Sequence, residues 1–242
     1  MRLFLLAALL LAIGIHGENK KPNIVLILID DLGLTDLQAF GGEIDTPNMD
    51  ALANEGMMFT NYHTTSECAP SRAMLLTGMD NHNTGLPMIP EVLPWKYHDT
   101  PGYEGYLRDD ALTIAEMLKP AGYKTYMTGK WHLAFGGRET AALPHNRGFD
   151  KTFILDATGG NNFNHHSYLP YYSESPWFKN GQKTELPEDF YSSEFFVDQM
   201  IEFIDEDITD EAPFFSYVSF QAQHIPLQAP QEFIDKYLDT YK

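Results

Sequence analysis

The stretch "NIVLILIDD", residues 23–31, is an unbroken apolar run from Ile24 to Ile29 that stops at two aspartates, Asp30 and Asp31. Strict alternation would mark a strand with one wet face. A continuous run rich in β-branched residues predicts instead a central strand buried on both faces, as in parallel sheets. Downstream, "DTPNMDALANEGMMF" (45–59) predicts a helix with Thr46 as N-cap, Pro47 at the first helical position and Gly56 just past the end. Pro70 and the apolar "AMLL" (73–76) predict a second helix that opens just after Cys68 and closes at Gly78. In "DDALTIAEMLKPAGYKTYMTGKWH" (109–132) a helix around 113–119, a break at Pro120 to Gly122 and a short strand near 124–127 follow one another. "SSEFFVDQMIEFIDED" (192–207) places Phe196, Val197, Met200, Ile201, Phe203 and Ile204 on one helix face, and the strand "FFSYVSFQAQH" (214–224) comes next. Helix then strand, repeated, argues for an α/β fold. From about Leu133 to Pro187 the chain is rich in Gly, Asn, His, Pro and aromatics, and it reads as long loops over the edge or end of the sheet.

A chain of 242 residues can bury a sizeable core. Its 34 acidic residues against 16 Lys plus Arg, a formal charge of −18, leave no basic stripe for phosphate contacts, so no nucleic-acid partner is expected. Residues 1–17, "MRLFLLAALLLAIGIHG", have the anatomy of a secretory signal peptide: one early Arg, an apolar stretch, then small residues. That stretch falls short of the roughly 20 apolar residues a membrane span needs. The expectation is an exported protein, periplasmic, extracellular or lumenal, with no stable membrane span once the signal is removed. Cys68 is the sole cysteine and cannot form an intramolecular disulfide.

Three expected strands end in polar groups: Asp30 and Asp31 after the first, Lys130 and His132 after the second, His224 after the third. Open α/β sheets bind ligands outside the carboxyl ends of their strands, so these groups are candidates for one site. Each also has a plainer reading. Paired aspartates serve as turn residues, Lys130 as a solvated amine, His224 as an ordinary hydrogen-bonded histidine, Cys68 as a small buried hydrophobe. Adjacent carboxylates repel, however, unless a cation lies between them, and hard oxygens suit Ca²⁺ or Mg²⁺. A helix mouth beside Arg72 favours an anion at Cys68, whether thiolate, sulfate or phosphate.

"CAPSRAMLLTG" (68–78) resembles the signature of the type I, formylglycine-dependent sulfatases, in which a cysteine in a C-x-P-S-R setting is oxidised after translation to formylglycine. "PNIVLILIDDLG" resembles that family's first strand with paired metal-binding aspartates, "DTPNMDALANEGMMFTNYHTT" its next segment, and "TGKWHL" its Lys-x-His motif. "GRETAALPHNRGFDKTF", "GGNNFNHH" and "QAQHIPLQAP" are similar to arylsulfatase-type members, so the resemblance runs from about Pro22 to Lys242.

The resemblance implies an alkaline-phosphatase-like mixed, mostly parallel sheet flanked by helices, and hydrolysis of aryl sulfates or sulfated glycans. It implies Asp30, Asp31 and an oxygen of the modified Cys68 as Ca²⁺ ligands, Mg²⁺ being the second choice. Arg72 would stabilise the formylglycine diol. Lys130 and His132 would contact diol and sulfate, and His224 would sit on the leaving-group side. It also implies a maturation enzyme as partner. Family members are roughly twice this long and bring two more metal ligands and a second lysine from further along, so residues 18–242 are expected to be the N-terminal part of the catalytic domain. Two further readings stay open: a phosphonate or phosphate ester hydrolase of the same superfamily, and an inactive sulfatase-like fragment that acts as a binding module.

Overall fold

The computed structural model describes residues 20–97, 100–209 and 211–241, so the expected signal peptide lies outside the described residues. The strand that opens the chain, β1 (Ile24–Ile29), is followed by α1 (Pro47–Glu55), α2 (Cys68–Thr77), the single turn α3 (Asn81–Thr84) and α4 (Ile114–Leu118). After these come β2 (Lys124–Lys130), β3 (Lys151–Leu155), β4 (Trp177–Lys179), β5 (Gln182–Lys183), α5 (Ser192–Glu206), β6 (Phe214–Phe220) and α6 (Gln231–Tyr237). The strands form one six-stranded sheet in the order β1-β6-β2-β3-β4-β5. β1, β6, β2 and β3 run parallel, while β4 and β5 close one side as antiparallel strands. This is the expected α/β class, a mixed and mostly parallel sheet with helices on its faces.

Local chemistry explains the helix limits. Thr46 and Pro47 open α1, with Gly56 at its end. α2 begins at Cys68 itself, one residue earlier than expected, and stops at Gly78, whose φ of 68° suits glycine. Thr113 caps α4 in a capping box: its hydroxyl accepts from the Glu116 N–H, and the Glu116 carboxylate accepts from the Thr113 N–H at 2.8 Å.

The sheet divides the core. On one side Ala69, Ala73 and Leu76 of α2 pack with Met127, Trp131, Phe149, Phe215 and Tyr217. On the other, Phe196, Met200 and Phe203 of α5 cover Tyr126, Phe153, Leu155 and Val218.

Several expectations change. β1 is an edge strand here: Ile24, Leu26 and Leu28 pack on the first cluster, but Val25 and Ile27 are 57% and 51% exposed. The reason is that α5 lies over β2 and β6, one strand too far along to reach β1. Val197 and Ile201 of α5 are exposed as well, so its buried stripe is narrower than six residues. β2 runs on to Lys130, past Met127, and β6 ends at Phe220, before His224. The region expected to be loops contains β3, β4 and β5, three short strands whose five, three and two residues are too few to display a period.

Candidate active site

β1 ends at Ile29, and the next two residues part company. Asp30 is buried, whereas Asp31, with a φ of 59°, faces solvent. The left-handed region is uncommon for any residue but glycine, though aspartate tolerates it. The Asp30 N–H donates to the Ala222 carbonyl at 3.2 Å, and the Gln223 N–H donates to the Asp30 carbonyl at 2.7 Å. These bonds tie the end of β1 to the loop that carries His224.

Two cations meet the Asp30 carboxylate. Lys130 Nζ donates to Oδ2 at 2.5 Å, and an Arg72 guanidinium nitrogen lies 3.1 Å from Oδ1. Lys130, the last residue of β2, also donates to the Thr158 carbonyl. Arg72, one turn into α2 from Cys68, donates to the Lys130 carbonyl at 2.9 Å and to Ser219 Oγ at 2.5 Å. Burial works against the Asp30 charge, but Arg72 and Lys130 hold its carboxyl below the ordinary carboxylate range. Two buried cations against one buried carboxylate leave a positive excess beneath Cys68, an environment that draws an anion.

Next to this cluster runs a second row. Cys68 Sγ lies 3.3 Å from His132 Nδ1 and 3.9 Å from the Thr158 hydroxyl. His132 is fully buried with a φ of 61°, and its Nε2 lies 2.9 Å from Glu91 Oε2. The other oxygen of Glu91 accepts from the Thr158 N–H at 3.2 Å and the Tyr172 hydroxyl at 2.9 Å. Burial would raise the Cys68 thiol, but the hydrogen bond and charge of His132, with Lys130 behind, bring it down to about 6. Burial likewise opposes a charge on His132, yet Glu91 and Cys68 lift the imidazole to about 9. The segment after His132 is pinned by Asp156, which accepts from the backbone N–H groups of Leu133, Ala134 and Gly137. Burial pushes the Asp156 carboxyl up to about 6 against the pull of those donors.

His224 completes the rim. Its Nδ1 donates to the Ile225 carbonyl at 2.7 Å, which leaves Nε2 facing Asp31 Oδ2 at 4.0 Å. Asp30, Asp31, Cys68 and Arg72 border a cleft of about 590 Å³. A hollow of about 630 Å³ at the start of β2 and β6 is bordered by Lys124 and Phe214 and by none of the seven residues expected from the sequence. Asp30 and Asp31 put hard carboxylate oxygens on the cleft wall, a donor chemistry that fits Ca²⁺. Among the described residues no group of three or more His, Cys, Asp or Glu is placed to hold a metal ion.

All seven residues expected from the sequence thus come together: Asp30, Asp31, Cys68, Arg72, Lys130, His132 and His224. Sequence reasoning missed Glu91, Thr158, Tyr172 and Asp156. Asp156 carried a usable signal, since "KTFILD" (151–156) repeats the pattern of an apolar strand ending in aspartate. Glu91 carried none, being one acid among prolines.

The sulfatase family model matches residues 22–242. The arylsulfatase of Klebsiella aerogenes is 39% identical over 246 residues, covering 97% of this chain and 50% of that protein. The crystal structure of Ps i-CgsB in complex with k-i-k-neocarrahexaose is 31% identical with a TM-score of 0.75, covering 92% of this chain and 49% of that one. A protein of the alkaline phosphatase superfamily from Vibrio parahaemolyticus, 21% identical with a TM-score of 0.54 over 88% of this chain and 43% of its own, shares the fold. The chain spans about half the length of the curated relatives it matches. Because the family model runs from two residues before β1 through residue 242, taking in every residue of the site, the chain belongs to the sulfatase family.

Proposed function

We propose that the protein hydrolyses sulfate esters, aryl sulfates or sulfated sugars, with residue 68 as nucleophile after conversion of Cys68 to formylglycine by a maturation enzyme, in an exported compartment. The observation that carries the reading is the seat of Cys68: at the first residue of α2, 3.3 Å from His132 and next to the Asp30, Lys130 and Arg72 charge cluster. A formylglycine there supplies, when hydrated, two hydroxyls on one carbon, one to attack sulfur and one whose deprotonation re-forms the aldehyde as sulfate departs. Asp30 and Asp31 would hold Ca²⁺ beside residue 68, and the cation would supply Lewis-acid polarisation of the sulfuryl oxygens. Lys130 and Arg72, held in place by Asp30, would bind sulfate oxygens from fixed positions. In its neutral form His132, aimed at residue 68 through Nδ1, would take the proton of the second hydroxyl. His224, whose Nδ1 proton is held by the Ile225 carbonyl, would protonate the departing alcohol oxygen from Nε2 in its doubly protonated form.

The test is the mass of the tryptic peptide containing residue 68 from protein made in its native host, with and without an aldehyde-reactive hydrazide. A formylglycine mass with hydrazide labelling supports the reading. An unmodified thiol throughout sinks it and favours a binding module. Turnover of matched aryl sulfate and phosphate esters then separates sulfatase from phosphate or phosphonate hydrolase.

A further inference from the structure

We infer that Glu91 is the positioning residue for His132: its carboxylate accepts the Nε2 proton, so that in the neutral ring the bare nitrogen is Nδ1, facing residue 68. The kinetic part of this inference rests on the sulfatase reading; the structural part stands apart from it. Nε2 and Oε2 are 2.9 Å apart, and both side chains are sealed from water, His132 at 0% and Glu91 at 2% exposure. A carboxylate can only accept, so the proton between them belongs to Nε2. Burial would raise the Glu91 carboxyl, but the His132 charge and hydrogen bond bring it down to about 2, which keeps it an acceptor.

Glu91 is itself held from behind. The Thr158 N–H and the Tyr172 hydroxyl both donate to Oε1, and Pro90 opens the short 3-10 turn that carries Glu91. Turning the imidazole over would set ring carbons against both Glu91 and residue 68, losing two hydrogen bonds at once. The geometry thus supplies the third member of a row, nucleophile, base and orienting group, in which the base is aimed by a carboxylate that never touches substrate.

Glu91→Gln makes a sharp test because the same two donors act on it. They draw the amide oxygen towards Thr158 and Tyr172, which turns the amide NH₂ towards His132 Nε2. An NH₂ group donates, so Nε2 must then be bare and the proton must move to Nδ1.

The measurement is nitrogen-15 NMR of the His132 ring in the full chain carrying Cys68→Ser, whose hydroxyl stands in for a diol oxygen, with the pH raised until the ring is neutral. The expected result is Nε2–H with Glu91 and Nδ1–H with Glu91→Gln. An Nδ1–H ring with Glu91 intact overturns the inference without any Glu91 variant, as does an Nε2–H ring in Glu91→Gln. In the matured protein, Glu91→Gln should lower kcat for an aryl sulfate about 100-fold, the lower end of what a positioned acid–base group contributes. KM should stay within about twofold, since no substrate contact is lost. An unchanged kcat overturns the inference. Absence of turnover in matured protein with Glu91 intact would count against the sulfatase reading instead, and the NMR arm would still decide for or against Glu91.

Discussion

Lys130 and His132 are two residues apart, yet they serve different partners. Lys130 ends β2 and reaches Asp30, while His132, past the strand and at positive φ, swings its ring between Cys68 and Glu91. Cys68→Ala, which the maturation enzyme cannot convert, should abolish sulfate ester turnover while leaving the circular dichroism unchanged, because losing one partly buried thiol at a helix start removes little packing. Retained activity would remove residue 68 from the chemistry. The Glu91 and His132 pair also sets a pH window for stability. Glu91 falls from 4.5 to about 2 on folding, so its contribution is complete above pH 4.5 and lost as the pH drops towards 2. His132 rises from 6.5 to about 9, so its contribution is complete below pH 6.5 and lost as the pH climbs through 9. The stability advantage of the chain over Glu91→Gln, measured by urea unfolding, should therefore be greatest between pH 4.5 and 6.5 and shrink on both sides. Equal advantages at pH 6 and pH 10 would show that the pair does not stabilise the fold.

Among the elements, β2 and β6 carry the site. Gly129 has a φ of 100°, and a Cβ there would come within 1.9 Å of the Ser219 carbonyl oxygen, in a neighbouring strand that cannot move aside. Ser219 is also the residue whose hydroxyl meets Arg72 and the Lys130 carbonyl. Gly129→Ala should thus cost about 3 kcal/mol of stability, as overpacking combined with a left-handed backbone does, and displace Lys130. Unfolding in urea gives the cost. A loss below half of it would mean the strands part more easily than their pairing implies. The sheet edge behaves differently. Because Val25 and Ile27 of β1 face outward in this chain, replacing either by Thr should cost under about 0.5 kcal/mol, whereas Phe215→Ala on buried β6 should cost about 3–5 kcal/mol. Comparable losses at the two places would show that β1 is covered.

For the whole molecule, Arg147 is the clamp that holds the segment before α4 to the segment before β3. Its guanidinium donates to the carbonyls of Leu107, Arg108 and Ala111 and to the Glu116 carboxylate, and the residue is 2% exposed. Arg147→Ala takes the guanidinium donors away from three carbonyls and a carboxylate in a buried setting, so it should destabilise the chain by about 3 kcal/mol or more. Arg147→Lys should recover little, because one ammonium cannot span a fork of four acceptors. Full recovery by lysine in a thermal melt would show that charge alone matters there.

The amino-acid sequence by itself determined the α/β class and the limits of α1 and α4, set those of α2 to within a residue, and named seven candidate site residues that the structure brings together. Those features rest on local rules: capping chemistry, an apolar run that stops at a charge, and motif spacing along the chain. Only the tertiary structure decided that β1 lies at the edge, since exposure of Val25 and Ile27 depends on where α5 lands. The same holds for β3 to β5, which are strands because neighbours pair with them and not because of their own period. Glu91, Tyr172 and Thr158 join the site from three separate loops, and no local rule links a carboxylate to a histidine 41 residues away.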